Sequence, residues 1–358
     1  MRSQLRHLVS LVCLLGAMLP VMSEDEIKPV QVGEPNPTYQ PVQLFVNKVN
    51  QPRPEMGMGM MGPGGMGGGM GGGPGYFMQY QPLAPVEGQG TSLGFVRQQL
   101  NFGAPIYRDD VNTVLLNGAV QNYLFQGSAV FPDSGKAFPD TLWNLRLGPM
   151  YIRKLEDGWM LGVMASVNMA SDEPFANGRD VTANVMAFLR VPSIDNNAWL
   201  FSVFYSPFGE IPFPIPGIAY QWRPNDEWNI NIGVPFSVHY QPTSDLSFDF
   251  NWMPVRTFNV QGTYRLTDAV SLFSRFRWSN ESWYLADRVE DRDRLFYYEM
   301  SVVGGVRYQL MERLSAEVSG GYAFDRFFFI GQQYSDQNQN RIELGAGLVI
   351  NAGLSLRF

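Results

Sequence analysis

The sequence predicts an all-β fold: an antiparallel transmembrane β-barrel of 12–14 strands behind a disordered N-terminal tail. Three observations predict it. From Arg341 to Phe358 every even position is apolar, and every odd position except Val349 is polar or glycine. That is the period-two signature of a strand with one apolar face. Connections between such segments alternate between short turns and longer loops, as in membrane barrels. The eight tryptophans sit at segment ends, never at a centre, where two membrane–water interfaces would collect them.

Composition points the same way. Charged residues are 16% of the 358, below the roughly 25% of a soluble domain. Mean hydropathy is −0.13, and past the N-terminus no apolar run reaches helix-spanning length, which excludes helical spans. A barrel stays open, because half of each strand faces a polar lumen. The formal net charge is −7 without a basic patch, so nucleic acid is not an expected partner.

Residues 1–23 read as a signal peptide: Arg2 and Arg6, the apolar run Leu8 to Leu19, then Val21 and Ser23 before a cut ahead of Glu24. The run is short for a membrane anchor, and Val12 before Cys13 is wrong for a lipoprotein. Cleavage moves the net charge from −7 to −9, since Arg2 and Arg6 leave with it. It also removes the single cysteine, so no disulfide or Cys-ligated metal is expected. Residues 24–90 read as a disordered periplasmic linker, because Pro- and Gly-rich sequence cannot bury enough apolar surface to offset its ordering entropy. Val42–Val46 is its one stretch with strand character. Met56, Met58, Met60, Met61, Met66 and Met70 offer thioethers suited to Cu(I). Plain disorder is the simpler reading, and contact with the cell wall or a partner a third.

The barrel is placed at 91–358. Trp159, Leu161, Val163, Ala165, Val167 and Met169 share a face, as do Val181 to Val191 at odd positions. Phe258, Val260, Tyr264 and Leu266 oppose Asn259, Gln261, Thr263 and Arg265, and Leu314 to Phe324 alternate in the same way. A soluble sandwich also alternates, with shorter apolar faces and more charge opposite. Fourteen strands result, the first near 113–126 and the last near 341–358. Twelve result if the pair around Pro235 merges or leaves the wall. The stretch 91–102 is either an added strand or a lumen plug. An even count returns both ends to the short-turn, periplasmic side.

The interface girdle is assigned to Trp143, Trp159, Trp199, Trp222, Trp228, Trp252 and Trp278, with Trp283 in or beside a long loop. The ending, with Leu354, Leu356 and Phe358 on the apolar face, resembles the C-terminal aromatic signal of bacterial outer-membrane barrels. That resemblance implies the barrel insertion machinery and outer-membrane lipid as partners. Pro-Ile-Pro-Gly-Ile-Ala-Tyr at 214–220 and Trp-Asn-Ile-Asn-Ile-Gly-Val-Pro at 228–235 resemble an uncharacterised family of bacterial outer-membrane β-barrels. That family carries only a domain-of-unknown-function label. The resemblance extends over roughly 91–358 and implies a fold and a location, without substrate or catalytic residues.

Charges facing lipid would cost about 2–4 kcal/mol each for Arg or Lys at midplane. Asp249, Arg265, Arg275, Arg277, Glu299, Arg307, Glu317, Asp325 and Glu343 are therefore expected to line the lumen, either as a filled ion-paired interior or as pore-lining charge. His239 is the one histidine after the signal. Ser237 shares its face, but no nucleophile motif surrounds it, so a lipid esterase is a distant alternative. A zinc site is not expected from one His and no Cys. The loop Glu281–Arg294 gathers carboxylates without the spacing of a calcium loop. No cofactor and no enzymatic activity are expected. The leading expectation is a narrow or gated pore for small solutes, ahead of a structural or anchoring barrel and a transporter of hydrophobic solutes.

Overall fold

A computed structural model describes residues 74–176, 178–206 and 213–356. The signal peptide, most of the Pro/Gly/Met-rich stretch and Phe358 lie outside the described residues. Seventeen strands form one antiparallel sheet. They are β1 (Gly75–Pro85), β2 (Ser92–Arg108), β3 (Asn112–Gly127), β4 (Thr141–Lys154), β5 (Met160–Ser171), β6 (Val181–Pro192), β7 (Ala198–Tyr205), β8 (Ile215–Trp222), β9 (Trp228–Ile232), β10 (Phe236–Tyr240), β11 (Leu246–Met253), β12 (Thr257–Arg265), β13 (Val270–Trp283), β14 (Arg294–Met311), β15 (Leu314–Gly331), β16 (Ile342–Leu344) and β17 (Gly347–Leu356). Each strand from β1 to β15 pairs with the next, and β17 returns to pair with β1, for example Met78 with Ala352. Both β16 and β17 lie against β15 and share one position in the wall. The sheet is therefore a closed barrel of sixteen positions, which removes every free edge.

The expected count of 12–14 is corrected to sixteen. The fourteen strands anticipated from 113 onward are all present, including both short strands around Pro235. The two additions are β1 and β2. Strand β1 falls inside the stretch read as a linker to residue 90, so the barrel begins at Gly75 rather than 91. Pro82 and Pro85 disguised it. Their missing N–H groups are tolerated at its upper end, where the β1–β2 register shifts between Gln81 and Ala84.

Alternation sets the two faces. Leu147, Val167, Val185, Val203, Ile218, Val306, Val318 and Ile350 are exposed apolar residues on the outer wall, where burial in lipid replaces burial in a core. Short turns at 109–111, 155–159, 193–197, 223–227, 241–245, 266–269 and 312–313 gather at one end with Gly75 and Leu356. Six of the eight connections at the other end run to six residues or more, and those at 233–235 and 254–256 are tight. Trp159, Trp199, Trp222 and Trp228 stand on the outer face near the short turns, with Trp228 stacked on Tyr240 at 4.0 Å. Trp143, Trp252 and Trp278 stand outward toward the loop end. Trp283 departs from them: it is 1% exposed and lies inside the barrel.

Two local irregularities overturn expected parity. The β14–β15 register shifts between Tyr298 and Met300, opposite Asp325, which takes φ 49° and spends one residue on a bulge. Beyond it Arg326 and Phe328 point inward, and Phe327 and Phe329 outward. The break at Gly345–Ala346 does the same between β16 and β17. Ile342 and Leu344 are buried inside, whereas Leu348, Ile350 and Leu354 are outside. The even positions of 342–358 therefore do not share one face.

Candidate functional site

The inside of the barrel has two unlike sides. On the side formed by β13–β15 and β1–β3 it is filled. Toward the loop end, Phe95, Tyr123, Phe138, Trp283, Leu295, Tyr297 and Phe328 pack as one cluster. Tyr297 stacks on Phe328 at 4.3 Å, and Tyr123 meets Trp283 edge-on at 5.2 Å. Beneath lies a buried ionic layer. Arg97 Nη2 of β2 reaches Glu281 Oε1 of β13 at 2.9 Å, and Gln121 Nε2 of β3 donates to Glu281 Oε2 at 2.6 Å. Arg277 Nη2 approaches the same carboxylate at 3.4 Å. Glu299 of β14 accepts from Tyr297 Oη at 2.5 Å, from Gln79 Nε2 at 3.4 Å and from Gln81 of β1. Arg326 donates to Gln81 and to the Gly345 carbonyl. The bonds from Arg97 and Gln121 to Glu281, and from Gln79 and Gln81 to Glu299, join strands that are not neighbours in the sheet, so they cross the lumen. A third layer joins Arg275 and Arg307 to Glu317, at 3.3 and 2.7 Å.

The side formed by β6–β12 differs. Its inward residues include Asn184, Ser202, Gln221, Asn229, Asn231, Asn251, Asn259 and Gln261, all half-buried. Small amides that keep solvent contact inside a barrel line an aqueous space rather than a core. Arg190 Nε donates to Gln221 Oε1 at 3.0 Å on this side, and Arg146 points inward from β4. In the barrel interior between the rims, seven arginines (Arg97, Arg146, Arg190, Arg275, Arg277, Arg307, Arg326) face four carboxylates (Asp249, Glu281, Glu299, Glu317). The interior thus carries three surplus positive charges in a chain whose net charge is −7. Several guanidinium N–H groups there, including Arg97 Nε and Arg275 Nη1, are buried without a hydrogen-bond partner.

Loops close over the loop end. The segment 128–140 is stitched to its neighbours. Gln89 Nε2 donates to the Val130 carbonyl at 2.6 Å. The Asp133 and Ser134 amides donate to Asn340 Oδ1 at 3.1 and 3.0 Å. Lys136 Nζ meets Asp287 Oδ2 at 2.9 Å. The segment 284–293 is latched to 172–180. Arg288 Nη1 lies 2.6 Å from Asp180 Oδ1, and Asp180 is fully buried. Ser171 Oγ donates to Asp180 Oδ2 at 2.8 Å, and the Ala286 amide donates to Asp172 Oδ1 at 2.8 Å. Burial holds the Asp172 carboxyl above its ordinary value, against the amides that donate to it.

Of the residues expected to line the lumen, Asp249, Arg275, Arg277, Glu299, Arg307 and Glu317 have their side chains inside. Arg265 sits at the short-turn rim, paired with Asp245 at 3.2 Å and about half exposed. Asp325 and Glu343 are corrected: both lie on the outer side above the bulge. Glu343 pairs with Arg341 at 2.7 Å, and Arg341 lies 3.6 Å over the Phe327 ring. Sequence reading missed Arg97, Arg146, Arg190 and Arg326, and it treated Glu281 as part of a loop. Arg97 could have been found, because Leu93, Phe95, Arg97 and Gln99 alternate with outward residues. His239 Nδ1 lies 2.8 Å from Asp249 Oδ1, on the open side, and Ser237 of the same strand is buried. Among the described residues no three His, Cys, Asp or Glu side chains group as metal ligands. Carboxylates of the 281–294 segment are instead spread over ion pairs, Asp287 with Lys136 and Asp291 with Arg179 at 3.0 Å.

The family model described as Domain of unknown function (DUF6268) matches residues 131–357. The match is narrower than the 91–358 expected from the central hairpin and leaves β1–β3 outside it. No curated protein matches the sequence. Among solved structures, the chain is similar to the β domain of the Bordetella autotransporter BrkA (9% identity, 80% of this chain and 99% of that one, TM-score 0.31). It is also similar to an outer membrane channel from Pseudomonas putida F1 (11% identity, 80% and 96%, TM-score 0.32). A third is OccK5 (OpdH) of Pseudomonas aeruginosa (9% identity, 80% and 98%, TM-score 0.25).

Proposed function

The chain belongs to the DUF6268 family, and from its geometry we propose that it is an outer-membrane barrel forming a narrow, gated pore that favours small anions. The observation that carries this reading is the two-sided interior. One side is packed with aromatic rings and crossing ion pairs, which narrows the lumen. The other presents half-buried amides to it with Arg190 among them, and Arg146 points inward from β4, between the two sides. A surplus of inward arginines raises the local concentration of anions over cations, as charge lining does in other pores. The stitched loops supply the gate. The short-turn end faces the periplasm in this reading, and the Gly/Met-rich tail leaves from there.

The test is conductance in planar bilayers under a salt gradient, with protein whose heat-sensitive mobility shows that it is folded. Discrete current steps with a reversal potential displaced toward that of chloride are expected. Arg146→Gln with Arg190→Gln moves the reversal potential toward zero. Folded protein that gives no steps would favour a non-conducting structural or anchoring barrel, and cation preference would contradict the charge argument.

A further inference from the structure

Three methionines stand side by side on the inner wall. Met150 of β4 is the direct cross-strand partner of Met164 of β5. Met164 is in turn the partner of Met186 of β6. All three share the inward parity of Ile152, Gly162 and Phe188. Met150 is buried, and Met164 and Met186 are half-buried. We propose that this row is a binding site for a soft monovalent metal ion, Cu(I) or Ag(I), held by three thioethers.

The chemistry follows from residue type and spacing. Thioether sulfur is a soft donor that selects Cu(I) over hard divalent cations. Directly opposed residues have Cβ atoms about 4.5–5.5 Å apart. A methionine side chain is unbranched and adaptable, so the outer two can lean toward the central Met164 and bring three sulfurs around one ion. The row ends in Leu115 on one side and Phe204 on the other. It therefore offers no carboxylate or imidazole, which leaves a hard ion without ligands. Leucine would fill the same wall equally well as an apolar residue. Methionine at three in-register positions adds only the sulfur.

Position adds a second argument. Met150 lies four residues before the end of β4, and Met164 four residues after the start of β5. The row is thus toward the short-turn end, where β1 begins at Gly75. The same chain carries Met56, Met58, Met60, Met61, Met66 and Met70 just ahead of that strand. The site does not depend on whether the barrel conducts.

The experiment measures Ag(I) bound to the detergent-purified full chain by equilibrium dialysis in chloride-free buffer, with the six tail methionines replaced by leucine so that only the barrel is read. About one Ag(I) per chain is expected, unchanged between weakly acidic and neutral pH because a thioether does not titrate. M150L/M164L/M186L is expected to lose it, and His239→Ala to keep it. Should the triple variant fail to show heat-sensitive mobility, M164L alone keeps the volume and removes the central donor. Sulfur-only coordination in the X-ray absorption spectrum of the Cu(I)-loaded protein is the second readout. The proposal is overturned by no bound Ag(I) in the tail variant, by binding that M164L leaves unchanged, or by binding that disappears with His239.

Discussion

Glu281 shows how the interior is held at the level of single residues. It receives Arg97, Arg277 and Gln121 in a site where Arg97 is 3% exposed. Removing one member of a buried ion pair strands its partner, at a cost of about 3–5 kcal/mol. Glu281→Gln is therefore expected to lower markedly the temperature at which the fast-migrating folded form converts to the slow one. Asp291→Asn is the contrast. Its pair with Arg179 is exposed on both sides, and such pairs contribute about 0–1 kcal/mol, so the transition should barely move. Single residues were also where sequence reading was weakest. Arg275, Arg277, Glu299 and Glu317 could be assigned inward because alternation around them is unbroken. Asp325 and Glu343 could not, because Asp325 is itself the bulged residue and Glu343 lies just before the break between β16 and β17, irregularities that no side-chain pattern announces.

At the level of elements, β4 to β8 were legible because lipid demands an apolar outer face along the whole strand, as Leu161 to Met169 and Val181 to Val191 show. β1 was not, since Gly75–Pro85 reads as a continuation of Pro- and Gly-rich sequence. Its strand character comes from pairing with β2 and β17 rather than from its own composition. The lid was hidden for a related reason: Phe138 meets Phe328 at 4.8 Å across most of the chain. Its latch can be opened. Arg288→Met leaves fully buried Asp180 without its cation, and the 284–293 segment should then be cut by added protease on intact cells where the parent resists. Asp172 adds a pH dependence. Its carboxyl is raised by burial, so its contribution to lid docking is fully present below the unfolded pKa. That contribution is lost as pH rises through the folded one. Protection of the segment should weaken on going upward through and above the ordinary carboxylate range, and Asp172→Asn should flatten that profile.

For the whole molecule, closure and charge separation belong together. A closed barrel lets an acidic chain keep most of its described carboxylates in loops and turns while arginines outnumber carboxylates inside, where no lipid must solvate them. The family match begins at residue 131, yet the barrel is sealed by β1 and β2 upstream of it. Closure therefore rests on β1, which completes the wall between β17 and β2. Cysteines at Met78 and Ala352, which face each other across β1 and β17, test it most directly. Leu272 and Val306 of the β13–β14 hairpin serve as the positive control. On oxidation in whole cells, both pairs are expected to cross-link, and each cross-linked protein is expected to retain heat-sensitive mobility. A control pair that cross-links while Met78→Cys with Ala352→Cys stays reduced would mean that β1 does not close the barrel.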